Sequence, residues 1–178
     1  ESASFPSALP VKRDANHAAW VTIQIGCDNS CAFCIVPSVR GKEISRPYSE
    51  LVSEVEQLAL TGVTEITLLG QNVNSYGRDL TLKLRGTELT AEACQLVGEN
   101  WVRGPHTARP LFSDLLCSVA AVSGIRRVRY TSPHPKDFRP ETIAAMARVP
   151  EVCEHLHLPL QSGSDKILSA MHRGYTAD

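Results

Sequence analysis

Short apolar runs rich in β-branched residues alternate along the chain with longer stretches whose apolar positions recur every three or four residues. Trp20-Val21-Thr22-Ile23-Gln24-Ile25 is a strand signal, so a first strand is expected over about 19–26. From Ser49, a candidate N-cap, Leu51, Val52, Val55, Leu58 and Ala59 fall at helical spacing. Glu50, Glu54 and Glu56 favour the early part of that helix, and Gly62 is its stop. Glu65-Ile66-Thr67-Leu68-Leu69 then reads as a buried strand ending at Gly70. Further on, Ser113 caps a helix carrying Leu115, Leu116, Val119 and Ala120, stopped by Gly124, and Arg127–Thr131 is a third strand. Pro140 fits the first turn of a helix whose apolar face is Ile143, Met146 and Ala147. His155-Leu156-His157-Leu158-Pro159-Leu160 reads as a fourth strand, histidines on one side and leucines on the other. Ser164 caps a last helix with Ile167, Leu168 and Met171.

Strands alternating with helices predict an α/β fold with a parallel sheet, of which four β/α units are legible. Residues 78–109 interrupt the alternation with mixed charges and Gly86, Gly98 and Gly104. They read as an insertion over the surface, with a short helix at Thr90–Val97. Residues 1–18, with Pro6 and Pro10 and no periodicity, read as a linker or entry arm, leaving 19–178 as the core domain. The chain does not start with Met and ends just after a helix, so an excised domain is expected.

Composition narrows the function classes. The 178 residues are 43% hydrophobic and 21% charged, an ordinary globular balance, and the net charge of −1 excludes a global basic field for nucleic acid. Local phosphate contacts stay open at Arg40, Lys42 and Arg46 and at Arg126, Arg127 and Arg129, beside the reading that these are solvated charges. No apolar run approaches the ~20 residues of a membrane span, and the start lacks the regions of a signal peptide. The cytoplasm is the expected compartment.

The distinctive chemistry is Cys27, Cys31 and Cys34, a C-x3-C-x2-C spacing on the loop that leaves the first strand. Soft thiolates suit iron–sulfur clusters and zinc. Clusters and closed zinc sites usually take four protein ligands, so three close cysteines suggest a cubane with one open iron. Half a zinc site completed by a distant ligand is the alternative, and with it a non-enzymatic zinc-binding module that docks RNA or protein. Cys94, Cys117 and Cys153 read as inert, the latter two in apolar surroundings. In parallel β/α folds the ligand site lies at the C-terminal strand ends. The cysteine loop, Gly70-Gln71-Asn72, Ser132-Pro133-His134-Pro135 and Gln161-Ser162-Gly163-Ser164 all fall there, so one site is expected.

The three cysteines with Phe33 before the last, followed by Ile35-Val36-Pro37-Ser38-Val39-Arg40-Gly41-Lys42-Glu43-Ile44-Ser45-Arg46-Pro47, resemble the cluster loop of radical S-adenosylmethionine (SAM) methylthiotransferases. Leu69-Gly70-Gln71-Asn72-Val73-Asn74-Ser75-Tyr76-Gly77 and Leu158-Pro159-Leu160-Gln161-Ser162-Gly163-Ser164-Asp165 are similar to the MiaB-type branch, which acts on tRNA. The resemblance covers roughly 6–77 and 111–176. It implies a partial (βα) barrel of the radical SAM type, truncated here after about four units, whose open strand edge invites association between chains. It implies a 4Fe–4S cluster on Cys27, Cys31 and Cys34 that chelates and cleaves SAM, with no catalytic residue beyond the cluster ligands.

Gly70 would admit the methionine end of SAM, Gln71 or Asn72 would bond its charged groups, and Gln161 and Ser162 would meet its ribose or carboxylate. Ser132 and His134 would face SAM or substrate. The plain alternatives are that Gly70 ends a strand, Asn72 and Asn74 form turns, Ser162-Gly163-Ser164 is a loop and cap, and His134 fixes a turn. His155 and His157 read as packed in the barrel. The family further implies a second cluster in an N-terminal domain and an RNA-binding C-terminal domain, both outside these residues, and an electron donor such as flavodoxin or ferredoxin. The expected reaction is methylthiolation at C2 of a prenylated adenosine beside the tRNA anticodon. Sister branches act instead on a ribosomal protein or a threonylcarbamoyl-adenosine tRNA.

Overall fold

The computed structural model describes residues 16–178. The linker expected at 1–18 falls largely outside the described residues. Its last position is already sheet, because the first strand starts one residue earlier than expected.

Three strands form a parallel sheet: β1 (Ala18–Thr22), β4 (Glu65–Leu69) and β5 (Arg127–Tyr130), in the order β1-β4-β5. The alternation within each strand decides the faces. Ala19, Val21, Ile66, Leu68, Val128 and Tyr130 are buried in one core with the helices. Trp20 stands 76% exposed on the other face, where Glu65 ties Arg127 and Arg129 together at 2.6 and 3.0 Å. Those two arginines are therefore ion-paired on the sheet.

The expected first strand does not run straight to 26. After Ile23, whose N–H donates to Leu69 O at 2.9 Å, the chain leaves the parallel sheet. Gln24–Ile25 (β2) instead pairs antiparallel with Ile44–Ser45 (β3). The hairpin encloses the cysteine loop and a short helix, α1 (Val36–Arg40), that the sequence reading did not contain. Arg46 just after β3 donates to Thr22 O at 3.1 Å and pairs with Glu54 at 2.6 Å. Its charge is paired within the fold, where the sequence left a phosphate contact and a solvated loop charge equally open.

Helix α2 (Tyr48–Leu60) buries Tyr48, Leu51, Val55 and Leu58, much as the pattern predicted. Its N-cap is Pro47, not Ser49, and α6 (Phe112–Ala120) is likewise capped at Leu111, not Ser113. Tyr48 and Phe112 extend the apolar stripe one turn position upstream of each serine, and burial overrides the capping preference. Between them lie α3 (Arg78–Leu84), α4 (Ala91–Val97) and α5 (Glu99–Val102). Thr90 caps α4 by accepting from Ala93 N at 3.3 Å. These helices do not lie over the surface as expected: Leu80, Val97 and Trp101 join the hydrophobic core. Trp101 is 1% exposed and donates its indole N–H to Thr107 O at 2.9 Å.

The fourth strand does not form. Residues 155–160 are irregular, and among the described residues the only sheet contact beyond β5 is a parallel bridge from Val128 to Val152. Pro159 removes a donor, and Leu156 and Leu160 are exposed along with His155 and His157, so the segment has no buried face. The two histidines are thus not packed in an interior. Helix α7 (Pro140–Arg148) turns Thr142 and Ala145 inward and leaves Ile143 and Ala147 exposed, a rotation from the expected face. Helix α8 (Asp165–Ala170) buries Leu168; Ser164 occupies its N-cap without a side-chain bond. Cys117 is exposed and Cys153 partly so, rather than enclosed by apolar groups. No helix among the described residues is long and apolar enough to cross a membrane.

Candidate functional site

The register sets the site. Thr22 pairs with Leu69, and Leu68 with Tyr130, so the three parallel strands end level. The segments leaving them, 23–34, 70–76 and 131–137, share one rim. Hydrogen bonds weld two of them. Asn74 Nδ2 donates to His134 O at 2.9 Å, and His134 N donates to Asn74 Oδ1 at 2.8 Å. Asn72 Nδ2 donates to Asp137 Oδ2 at 2.7 Å. Gln24, fully buried in β2, donates from Nε2 to Asn72 O at 2.8 Å and joins the first segment to the second.

Beneath the rim is a buried polar cluster. Ser75 Oγ donates to Glu43 Oε2, and Arg78 pairs with Asp137. Burial pushes the Glu43 carboxyl up to about 7, despite the Ser75 hydroxyl and the Arg78 charge that oppose the rise. Asp137 is also buried, which raises a carboxyl, yet the bonds from Asn72 and Arg78 hold it below its ordinary value.

The cysteine loop is built on two anchors. At its base Gly26 has φ +75°, and a Cβ there would stand 2.0 Å from Lys42 O. Only glycine permits that approach. Cys27 N donates to Gly41 O at 3.2 Å, and Asp28 Oδ1 accepts from Glu43 N at 3.0 Å. The far side of the loop is held by the turn after α8. Ala32 N donates to Met171 O at 3.0 Å, His172 Nδ1 lies 3.2 Å from Ser30 O, and Arg173 Nη1 donates to Cys31 Sγ at 3.2 Å.

The thiols differ in setting: Cys27 is buried, Cys31 half-buried and Cys34 exposed. Burial raises the Cys27 thiol. The three share one loop but do not close on a common point: among the described residues no three His, Cys, Asp or Glu side chains are grouped to hold a metal ion. What fits an iron–sulfur group is the donor set of three soft thiols. It is accompanied by buried polar atoms with no partner: Asn29 Nδ2 on the same loop, and Gln71 Oε1 and Asn72 Oδ1 on the neighbouring one. Such orphans are costly unless a ligand meets them.

His134 faces Cys31, with Nε2 3.8 Å from Sγ. Its Nδ1 accepts from Lys136 N at 3.3 Å, so the proton sits on Nε2 and points at the sulfur. Burial, aided by the charge of Arg173, lowers its pKa to about 4 and keeps the ring neutral. Ser132 adopts φ +59° and Gln161 φ +70°, left-handed values unusual for these residues and typical of functional sites. Gly70 is fitted closely, since a Cβ would meet Gln24 Cγ at 2.9 Å. The space beside it is thus filled by Gln24. Ser162 lines a cavity of about 350 Å³ with Pro135, Leu160 and Tyr175. Gln161 is exposed and lies outside that lining.

The sequence reading missed Gln24, Glu43, Asp137 and Arg173. Only Gln24 carried a signal, as a polar residue inside an apolar strand run.

The family described as the Radical SAM superfamily matches residues 21–178. Relatives similar over 98% of this chain are named tRNA-2-methylthio-N(6)-dimethylallyladenosine synthase. One from Mycobacterium sp. (strain JLS) is 47% identical over 174 residues, one from Mycobacterium marinum 49% over 175, and one from Frankia alni 48% over 174. The chain covers 32%, 31% and 30% of those relatives, respectively, so it spans about a third of their length. The cysteine loop, the level strand ends and a match running from β1 to the last residue lead to one conclusion: the chain belongs to the radical SAM superfamily.

Proposed function

We propose that this chain is the SAM-cleaving core of a tRNA methylthiotransferase, with Cys27, Cys31 and Cys34 as the ligands of a 4Fe–4S cluster. The observation that carries the reading is the shared rim, where level strand ends gather the thiol loop, the Gln71–Asn72 loop and the His134 loop. The relatives' names support the substrate: a prenylated adenosine of tRNA, modified at C2. When bound, the cluster supplies the electron that splits SAM into methionine and a 5′-deoxyadenosyl radical.

The chain's own residues do the positioning. Gln71 Oε1 and Asn72 Oδ1 are unpaired acceptors for the amino N–H groups of SAM, and Asn29 Nδ2 is an unpaired donor for its carboxylate. Gly70 holds the Gln24 packing that fixes Asn72. His134 donates from Nε2 to the Cys31 sulfur. Ser132, Gln161 and Ser162 border the adenosyl side. Ile23, Val73 and Tyr76, all fully buried, exclude water from beneath the rim.

The three-stranded sheet is the opening part of a (βα) barrel, and its open edges favour pairing between copies. The whole protein would add an N-terminal domain with a second cluster, an RNA-binding C-terminal domain and a flavodoxin- or ferredoxin-type donor, in the cytoplasm.

The test uses the full-length enzyme that contains this core, reconstituted anaerobically with iron and sulfide. Incubation with prenylated-adenosine tRNA and SAM is expected to give 2-methylthio nucleoside by mass spectrometry, and none with Cys31→Ala. Loaded enzyme that leaves this tRNA unmodified overturns the reading, as does transfer to a ribosomal protein or to threonylcarbamoyl-adenosine tRNA instead. Stoichiometric zinc after anaerobic reconstitution, with no SAM binding, would mark an interaction module.

A further inference from the structure

Arg173 belongs to no motif read from the sequence, yet its guanidinium touches a proposed cluster ligand. Nη1 donates to Cys31 Sγ at 3.2 Å. The side chain is half-buried, and among the described residues it forms no ion pair with a carboxylate. A guanidinium drawn out of water without a carboxylate needs another anion.

Its pose is prepared. Arg173 N donates to Leu168 O at 3.0 Å, which closes the end of α8. Preceding His172 takes φ +54°, a left-handed conformation that turns the chain back onto the cysteine loop. The guanidinium carbon lies 5.7 Å from the ring centroid of Tyr175, and Nε reaches the Tyr175 hydroxyl at 3.4 Å. Tyr175 is fixed in turn: its hydroxyl donates to Leu160 O at 2.7 Å, and its ring meets the His134 ring edge-on at 5.6 Å. With Ala32 N on Met171 O and His172 on Ser30 O, residues 171–175 form a strap across the loop.

We infer that Arg173 is a positioning residue for the cluster, the fixed counter-charge on the Cys31 thiolate, and that it raises the potential at which the bound cluster accepts its electron. This rests on the cluster reading above. An N–H···S bond and a nearby positive charge both draw electron density from a ligand sulfur, and both stabilise the more negative, reduced state. The carboxylate of SAM is a second anion within the same chemistry, and SAM affinity separates the two sources.

The experiment compares wild type, Arg173→Gln and Arg173→Lys, each reconstituted anaerobically and titrated with dithionite while the cluster is followed by EPR. The expected result is a lower midpoint potential for Arg173→Gln and partial restoration in Arg173→Lys, which keeps the charge. Equal potentials in wild type and the loaded Gln variant overturn the inference, and a change confined to SAM affinity assigns Arg173 to the carboxylate instead and also overturns it. Should Arg173→Gln take up no cluster, loading rescued by Lys supports the counter-charge. Absence of rescue makes Arg173 a packing residue and overturns it. Wild-type protein that takes up no cluster refutes the cluster reading itself.

Discussion

Glu43→Gln isolates the buried polar cluster that holds the rim together. Glu43 is 7% exposed, accepts from the Ser75 hydroxyl and, through its backbone N–H, pins Asp28 at the base of the cysteine loop. Burial is the largest influence on its carboxyl and raises it from 4.5 to about 7. At about 1.4 kcal/mol per unit, the wild-type fold loses ~3 kcal/mol as pH climbs from the unfolded value through the folded one. The sign follows from proton binding: between these values the folded chain holds a proton that the unfolded chain has released. Glutamine mimics the protonated form and removes that slope.

His134 complicates the raw profile of either protein. Its pKa falls from 6.5 to about 4 on folding, chiefly through burial, so its contribution is lost as pH drops through that window. The two slopes oppose each other. The assay is therefore the difference in urea-unfolding free energy between Glu43→Gln and wild type, both without metal, at about pH 4 and pH 8. The His134 contribution is common to both and cancels. The difference is expected to move by ~3 kcal/mol in favour of the variant at the higher pH. A difference constant to within about 0.5 kcal/mol would mean that Glu43 ionises freely in the fold, and the buried cluster as described would be wrong.

Three further substitutions probe separate links. Gly26→Ala forces a Cβ against Lys42 O in a left-handed backbone; an unfolding loss of at least ~1 kcal/mol and reduced iron uptake after reconstitution are expected. Trp101→Ala empties a buried site in the region read as an insertion, and should cost about 3–5 kcal/mol by denaturant unfolding, where a surface appendage would cost almost nothing. Asp137→Asn deprives Arg78 and Asn72 of their shared carboxylate. A loss of about 2 kcal/mol at neutral pH is expected, shrinking as pH falls through the depressed Asp137 pKa, because the wild type surrenders the same contribution there.

The elements legible in the sequence were those whose own pattern decides their structure. Glu65–Leu69 is a strand within the expected bounds because alternate residues Ile66 and Leu68 bury completely. Thr90 caps α4 because a hydroxyl with no competing role can accept from N3. Failures occurred where tertiary partners overrode local preference. Gln24 and Ile25 carry the residue types of a continuing strand, but Ile44 and Ser45, about twenty positions later, offer a different edge. The leucines and histidines of 155–160 alternate as a strand would, yet this stretch pairs with no strand among the described residues; the bridge beside β5 comes from Val152, before it. Residues 78–109 look polar in bulk, and the few apolar groups that matter, Leu80, Val97 and Trp101, are too widely spaced to read as one face.

The site divides the same way. Cysteine spacing and β/α alternation pointed to the loops after β1, β4 and β5, whereas the expected fourth loop, 161–164, follows no strand. Glu43, Asp137 and Arg173 were invisible, because a lone charged residue in sequence carries no sign of being buried or of touching a sulfur.

Ligation by three thiols with one iron left open is tested most directly by EPR of the anaerobically reconstituted, dithionite-reduced chain, with and without SAM. The predicted result is a single 4Fe–4S signal that changes on SAM addition and is lost in Cys31→Ala. A cluster whose spectrum ignores SAM, or one retained in Cys31→Ala, would contradict it.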